Sequence, residues 1–115
     1  MTMKTISPQD LYALQQSGDL VVIIDVRNPD EFAKLRIPQA ILQPLPEFDA
    51  AKTLEYLAEH GWTNDEIYVT CASGKRAQSA CQLFAAANYP HVTLVEGGTI
   101  GWYEAGLPVE GAAVE

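Results

Sequence analysis

Six consecutive residues, Cys71-Ala72-Ser73-Gly74-Lys75-Arg76, carry the chemistry most worth testing in this chain. Before them runs Ile67-Tyr68-Val69-Thr70, a strand-forming stretch. After them, Ala77, Ala80, Cys81, Phe84 and Ala87 recur at helical spacing. In a strand–loop–helix unit, a cysteine at the start of the loop meets several backbone N–H groups and the positive end of a helix dipole. Such surroundings favour the thiolate, which is the nucleophilic form. Gly74 lets the backbone curl. Lys75 and Arg76 add two of the seven basic side chains in the whole sequence. The segment reads as a small anion pocket around a nucleophilic sulfur. A cysteine at a strand end is, in general, more often a small core residue, and Gly-Lys-Arg also makes an ordinary turn. The coincidence of cysteine, glycine and paired cations in this context favours chemistry. Cys81 gets the opposite reading, because it lies on the apolar stripe of its helix and belongs to the core.

Composition narrows the chemistry. The chain has 115 residues, 48% of them hydrophobic, with seven Lys+Arg against fifteen Asp+Glu and a net charge of −8. That is one domain's worth of chain with enough apolar material for a core. The acidic balance argues against nucleic acid, whose phosphates call for clustered Lys and Arg. Two cysteines and two histidines are too few for a familiar zinc cage or a disulfide framework, so neither metal nor cofactor is expected. No apolar run approaches the roughly 20 residues of a membrane helix, and residues 1–10 lack the apolar middle of a signal peptide. The expectation is a cytoplasmic globular domain with no membrane insertion of its own. Whether it is a whole protein or one domain of a longer one is left open.

Strands and helices alternate around the cysteine loop. Ser7-Pro8 and Asp10 open a helix that turns Leu11 and Leu14 inward and stops at Gly18. Leu20-Val21-Val22-Ile23-Ile24 reads as a strand covered on both faces. Asn28-Pro29 opens a short helix with Phe32 and Leu35, ended by Pro38, and Ala40-Ile41-Leu42 makes a short strand. Pro44 and Pro46 mark a loop. Asp49 to His60 forms a helix with Ala51, Leu54, Leu57 and Ala58 on one face, stopped by Gly61. Val92-Thr93-Leu94-Val95 is a strand, and Gly97-Gly98 breaks the chain before a last helix with Ile100, Trp102 and Tyr103. This alternation predicts an α/β fold, a central mostly parallel sheet flanked by helices on both faces.

The cysteine loop resembles that of rhodanese-type sulfurtransferases, whose small bacterial members carry Cys-x-x-Gly-x-Arg. Two further segments agree. Asp25-Val26-Arg27-Asn28-Pro29-Asp30-Glu31-Phe32 followed by Ile37-Pro38-Gln39-Ala40 is similar to the family's first signature. Glu96 to Val109, with Gly97-Gly98, Trp102 and Gly106-Leu107-Pro108-Val109, is similar to its closing one. The three lie in register over about residues 7–109, which implies a single rhodanese-like domain over 1–115 with a flexible tail at 110–115. Arg36 and Gln39 depart from the family's histidine and glycine. Arg36 is expected to be a solvated side chain. Asp25, Arg27 and Glu31 are expected to form a structural polar cluster beneath the site, and Trp102 a core anchor. His60 and His91 are expected at the surface.

The resemblance implies a mechanism. Cys71 takes the outer sulfur of a small anionic donor such as thiosulfate, carries it as a persulfide, and yields it to cyanide, a thiol or a protein acceptor. The amides of Ala72 through Arg76 would cradle the sulfur. Lys75 and Arg76 would orient the donor, or Arg76 would turn away to pair with Asp25 or Glu31. Three rivals stand beside this reading. A phosphatase or arsenate reductase holds its anion in a Cys-x5-Arg loop, whereas four residues separate Cys71 from Arg76. A persulfide carrier would use Cys71 with a protein partner. A catalytically dead regulatory domain is disfavoured by the complete loop.

Overall fold

The β-branched runs form strands and the capped segments form helices in the computed structural model, which describes residues 4–18, 20–44, 49–62, 65–72 and 75–112. In chain order the elements are β1 (Lys4–Ile6), α1 (Pro8–Gln16), β2 (Val22–Asp25), α2 (Pro29–Lys34) and β3 (Ile41–Leu42). They continue with α3 (Ala50–Glu59), β4 (Ile67–Thr70), α4 (Lys75–Ala86), β5 (Val92–Val95) and α5 (Gly98–Glu104). Ser7 caps α1 by accepting from the Asp10 amide at 3.1 Å, and Asp49 caps α3 by accepting from Lys52 at 3.1 Å. Each side-chain oxygen satisfies an amide that the first helical turn leaves without a partner.

The strands lie in the order β1-β5-β4-β2-β3, and every neighbouring pair is parallel. Alternation along each strand divides the core between two faces. Val22, Ile24, Ile67 and Val69 meet Leu57 of α3 and Ala77, Ala80 and Phe84 of α4. Ile23 and Val95 meet Leu11 of α1 and Trp102 of α5 on the other side. The expected two-sided parallel sheet is therefore present. Trp102 is fully buried and donates from Nε1 to the Pro108 carbonyl at 2.7 Å, which makes it the expected core anchor. No helix among the described residues is long and apolar enough to cross a membrane.

Local expectations needed correction at several points. Sequence reading omits β1, because three residues of Lys-Thr-Ile show no usable alternation. Pairing with β5, Thr5 opposite Leu94, is what makes it a strand. The second strand starts at Val22 and runs to Asp25, and Leu20 is left 53% exposed. On α3, Ala51 and Ala58 face solvent, and Thr53 is buried in their place. Thr53 is tolerated there because its hydroxyl donates to Gln43 Oε1 at 3.3 Å. Ala87 lies past the end of α4 and is exposed. Ile100 and Tyr103 of α5 are exposed. The expected tail begins at Glu110. Glu110 and Arg36 exchange two backbone hydrogen bonds, at 2.9 and 3.0 Å, and Gly111 is buried against the Lys34 carbonyl. Residues 113–115, and the Pro46 part of the proline-marked loop, lie outside the described residues.

Candidate active site

Three neighbouring strands end together, and the chain leaving each end carries residues of the candidate site. Asp25 at the end of β2 pairs in register with Thr70 at the end of β4, and Val69 pairs with Leu94 of β5. Segments leaving the carboxyl ends of parallel strands line the ligand crevice of open α/β sheets. Among the described residues those segments are Val26–Glu31, Cys71–Ala72 and Glu96–Ile100. Cys71 follows β4 directly, is 1% exposed, and touches the apolar cluster that holds Ala77 and Ala80. It forms no disulfide with Cys81. Cys81 is buried on the sheet-facing side of α4, as expected of a core residue. Burial, and then the nearby charge of Cys71, pushes the Cys81 thiol up to about 11.

The start of α5 is fastened to the cysteine's own peptide. The Thr99 amide donates to the Cys71 carbonyl at 2.7 Å, and the Ile100 amide donates to the Ala72 carbonyl at 3.1 Å. These are amides that a helix start cannot satisfy from within. Thr70 Oγ1 lies 3.3 Å from the Cys71 carbonyl, to which it donates, and 3.2 Å from Thr99 Oγ1. Gly98 stands between the two segments at φ 63°, and any Cβ there would press on the Cys71 carbonyl oxygen and lie 2.8 Å from that of Ala72.

Two ion pairs flank the loop, and they divide the cluster expected from Asp25, Arg27 and Glu31. Asp25 is fully buried and receives Arg27 through Nε and Nη2 at 2.9–3.0 Å, as well as the Arg27 backbone amide at 3.0 Å. Arg27 also donates to the Leu35 carbonyl, which ties the end of α2 to the sheet. Glu31 serves a different partner. Its carboxylate accepts both Arg76 Nη atoms, at 2.8 and 3.0 Å, and the Asn28 amide at 3.1 Å. Of the two roles that the sequence leaves open for Arg76, the described geometry contains this pair. Arg76 thereby bridges α4 to α2 while staying within electrostatic reach of Cys71, whose charge adds to the upward push that Glu31 gives the guanidinium.

The hydrogen bond from Arg76 holds the Glu31 carboxyl down at about 2, against an ordinary value of 4.5. A carboxylate depressed by folding stabilises the fold above its unfolded value, and that stabilisation fades as pH falls through the folded value. Both side chains are about one-third exposed, so water screens the pair and its worth is about 1 kcal/mol or less. Glu31→Gln is therefore expected to lower the melting temperature by a few degrees at pH 7. The gap to wild type should narrow between pH 5 and pH 3. Thermal melts at the three pH values check this, and a gap that stays constant with pH would remove the carboxylate from the account.

Arg36 is not freely solvated. Its guanidinium lies 5.2 Å from the Phe32 ring centre, donates to the Phe32 carbonyl at 3.3 Å, and sits 3.7 Å from Glu110 Oε1. Its place in a backbone bridge to Glu110 carries the side chain onto that ring. His60 is exposed and uses Nδ1 on the Tyr56 carbonyl at 2.9 Å, while His91 is half-buried with its ring edge-on to Tyr89.

The predicted site residues divide as follows. Cys71 and Ala72 lie at the end of β4, and Lys75 and Arg76 open α4. Ser73, Gly74 and the side chain of Lys75 lie outside what is described. Sequence reasoning missed Thr70 and Thr99, which meet the cysteine's carbonyl from its own strand and from α5. Gly97-Gly98 was the available signal, since paired glycines after a strand often mark a close backbone approach.

A rhodanese-like domain model matches residues 7–105. The adenylyltransferase and sulfurtransferase UBA4 of Candida albicans is 34% identical over 99 residues, covering 84% of this chain and 23% of that one. A sulfurtransferase of Allochromatium vinosum is 29% identical over 89 residues, covering 77% of this chain and 78% of its own. The chain spans between 23% and 56% of the length of three curated relatives it matches. The crystal structure of the BH2092 protein from Bacillus halodurans shares the fold, with a TM-score of 0.81 at 23% identity over 96% of this chain and 78% of that one. With the family model running unbroken from the cap of α1 through the cysteine loop to the end of α5, the chain belongs to the rhodanese-like domain family.

Proposed function

We propose that this domain is a sulfurtransferase that moves sulfane sulfur from thiosulfate, or a similar small anion, to a thiophilic acceptor through a persulfide on Cys71. One observation carries the reading: in a chain of this family, the cysteine stands at the carboxyl end of β4, where the loop turns into α4. The Cys71 thiolate attacks the outer sulfur of thiosulfate. A sulfur–sulfur bond forms to the enzyme, the donor's sulfur–sulfur bond breaks, and its electron pair leaves with sulfite. Cyanide or a thiolate then attacks the terminal persulfide sulfur, and Cys71 departs as the thiolate. No net proton transfer is needed, so no general base is required. The amides of Ala72 through Arg76 act as the cradle for the anionic sulfur, and Ser73, Gly74 and Lys75 belong to it as proposed substrate contacts. Arg76, held by Glu31, contributes its charge from the rim.

A persulfide carrier serving a protein partner is the second reading. It is favoured by the small share of its longer relatives that the chain spans, and by a 34% identical relative named a putative sulfur carrier protein. Intact-mass measurement after incubation with thiosulfate tests both. A gain of one sulfur atom, removed by a reducing thiol and absent in Cys71→Ser, is expected. Steady turnover with cyanide then supports the enzyme, and a persulfide without turnover supports the carrier. No added sulfur would sink both.

A further inference from the structure

We propose that Gly98 and Thr99 are positioning residues for Cys71: the start of α5 sets the orientation of the Cys71–Ala72 peptide and so aims the cradle at the sulfur. The inference deepens the sulfurtransfer reading and rests on it for its kinetic part. A trans peptide is planar, with its C=O and N–H pointing in opposite directions. The Cys71 carbonyl is pulled toward α5 by the Thr99 amide at 2.7 Å and by Thr70 Oγ1 at 3.3 Å. The Ala72 N–H belongs to the same peptide and is therefore turned away from α5. The Ala72 carbonyl is fixed in the same sense by Ile100. With both carbonyls bound on the outside, neither can rotate inward, where a carbonyl oxygen would repel a thiolate or a persulfide anion. An N–H so fixed needs no reorganisation when charge arrives, which is the condition for preorganised electrostatic stabilisation.

Gly98 makes the approach possible, since a Cβ at that position would push into the Cys71 and Ala72 carbonyls. Thr99 adds the lateral contact. Its hydroxyl, 3.2 Å from that of Thr70 and fully buried, keeps the two segments in register. The family-type glycine pair is thus tied to the cysteine's chemistry as well as to the turn before α5.

The test uses the full chain and two readouts. The first is thiosulfate:cyanide turnover, resolved into kcat and KM. The second is the rate at which iodoacetamide alkylates Cys71 at pH 7, located by peptide mass, with thermal melts to establish folding. Gly98→Ala is expected to lower kcat at least tenfold with KM within threefold of wild type, and to slow alkylation at least fivefold. Thr99→Val is expected to move both in the same direction, and Thr99→Ser, which keeps the hydroxyl, to restore them. If Gly98→Ala does not fold, the threonine pair decides. Folded variants whose kcat and alkylation rate stay within twofold of wild type would overturn the proposal. Alkylation reads Cys71 whether or not the protein transfers sulfur. Slowed alkylation in a domain without turnover would uphold the positioning role and sink the sulfurtransfer reading.

Discussion

Cys71→Ser is expected to lower thiosulfate:cyanide sulfur transfer by on the order of a thousandfold or more, while Cys81→Ser keeps it within about threefold. The two residues share an apolar cluster and are both nearly inaccessible, so burial does not separate them. Their backbone settings do. Cys71 lies at the end of β4 with its peptide fastened to α5 and the start of α4 four residues on. Cys81 lies in the middle of α4, where its amide and carbonyl serve the helix. Burial also pushes the Cys81 thiol up to about 11, so almost none is thiolate at neutral pH. A serine hydroxyl at Cys71 ionises far less readily than a thiol and forms no persulfide, so no residual route through that position is expected. At Cys81 serine costs about 1–2 kcal/mol through burial of a hydroxyl, and the assay belongs well below the melting temperature. Comparable loss of activity from both substitutions would overturn the single-nucleophile mechanism.

The sheet was legible because it rests on local signals. Val92–Val95 stands where its short, Val- and Thr-rich pattern puts it, and Ser7, Asp49 and Gly61 mark helix limits by their own chemistry. β1 was not legible, because its strand character comes from pairing with a segment about ninety residues away. Thr53 was misjudged for a related reason. A threonine's burial depends on whether a distant acceptor exists, and Gln43 supplies one. At the candidate site, Cys71 and Arg76 were singled out by type and spacing. Their partners were not. Sequence separates Glu31 from Arg76 by 45 positions and Thr70 from Thr99 by 29, and the register of three parallel strands closes both distances. The same register turns a glycine pair that reads as a helix start into the neighbour of Cys71.

Loop length is expected to select sulfur chemistry over phosphorus chemistry, and a one-residue insertion between Ser73 and Gly74 should cut sulfur transfer about a hundredfold or more. Four residues separate Cys71 from Arg76, one fewer than in loops that hold a tetrahedral phosphate. Amides spaced over so few residues are expected to converge on a smaller sphere, one that would suit a single sulfur atom and be too narrow for a phosphoryl group. Preorganised donors act on the atom they point at, so a misfit of about one ångström is expensive. Both ends of the loop are anchored: Cys71 and Ala72 by α5, and Arg76 by Glu31 across the mouth. With both ends held, an inserted residue is expected to widen the loop. The wild-type domain is expected to show no Cys71-dependent hydrolysis of an aryl phosphate under conditions where sulfur transfer is easily measured. The insertion variant is expected to lose sulfur transfer and to bind phosphate or arsenate more tightly than wild type. Both proteins are to be assayed for both activities, with Cys71→Ser as the blank. Cys71-dependent phosphatase turnover by the wild type, or undiminished sulfur transfer by the insertion variant, would show that ring size is not the selector and would restore the phosphatase reading of this fold.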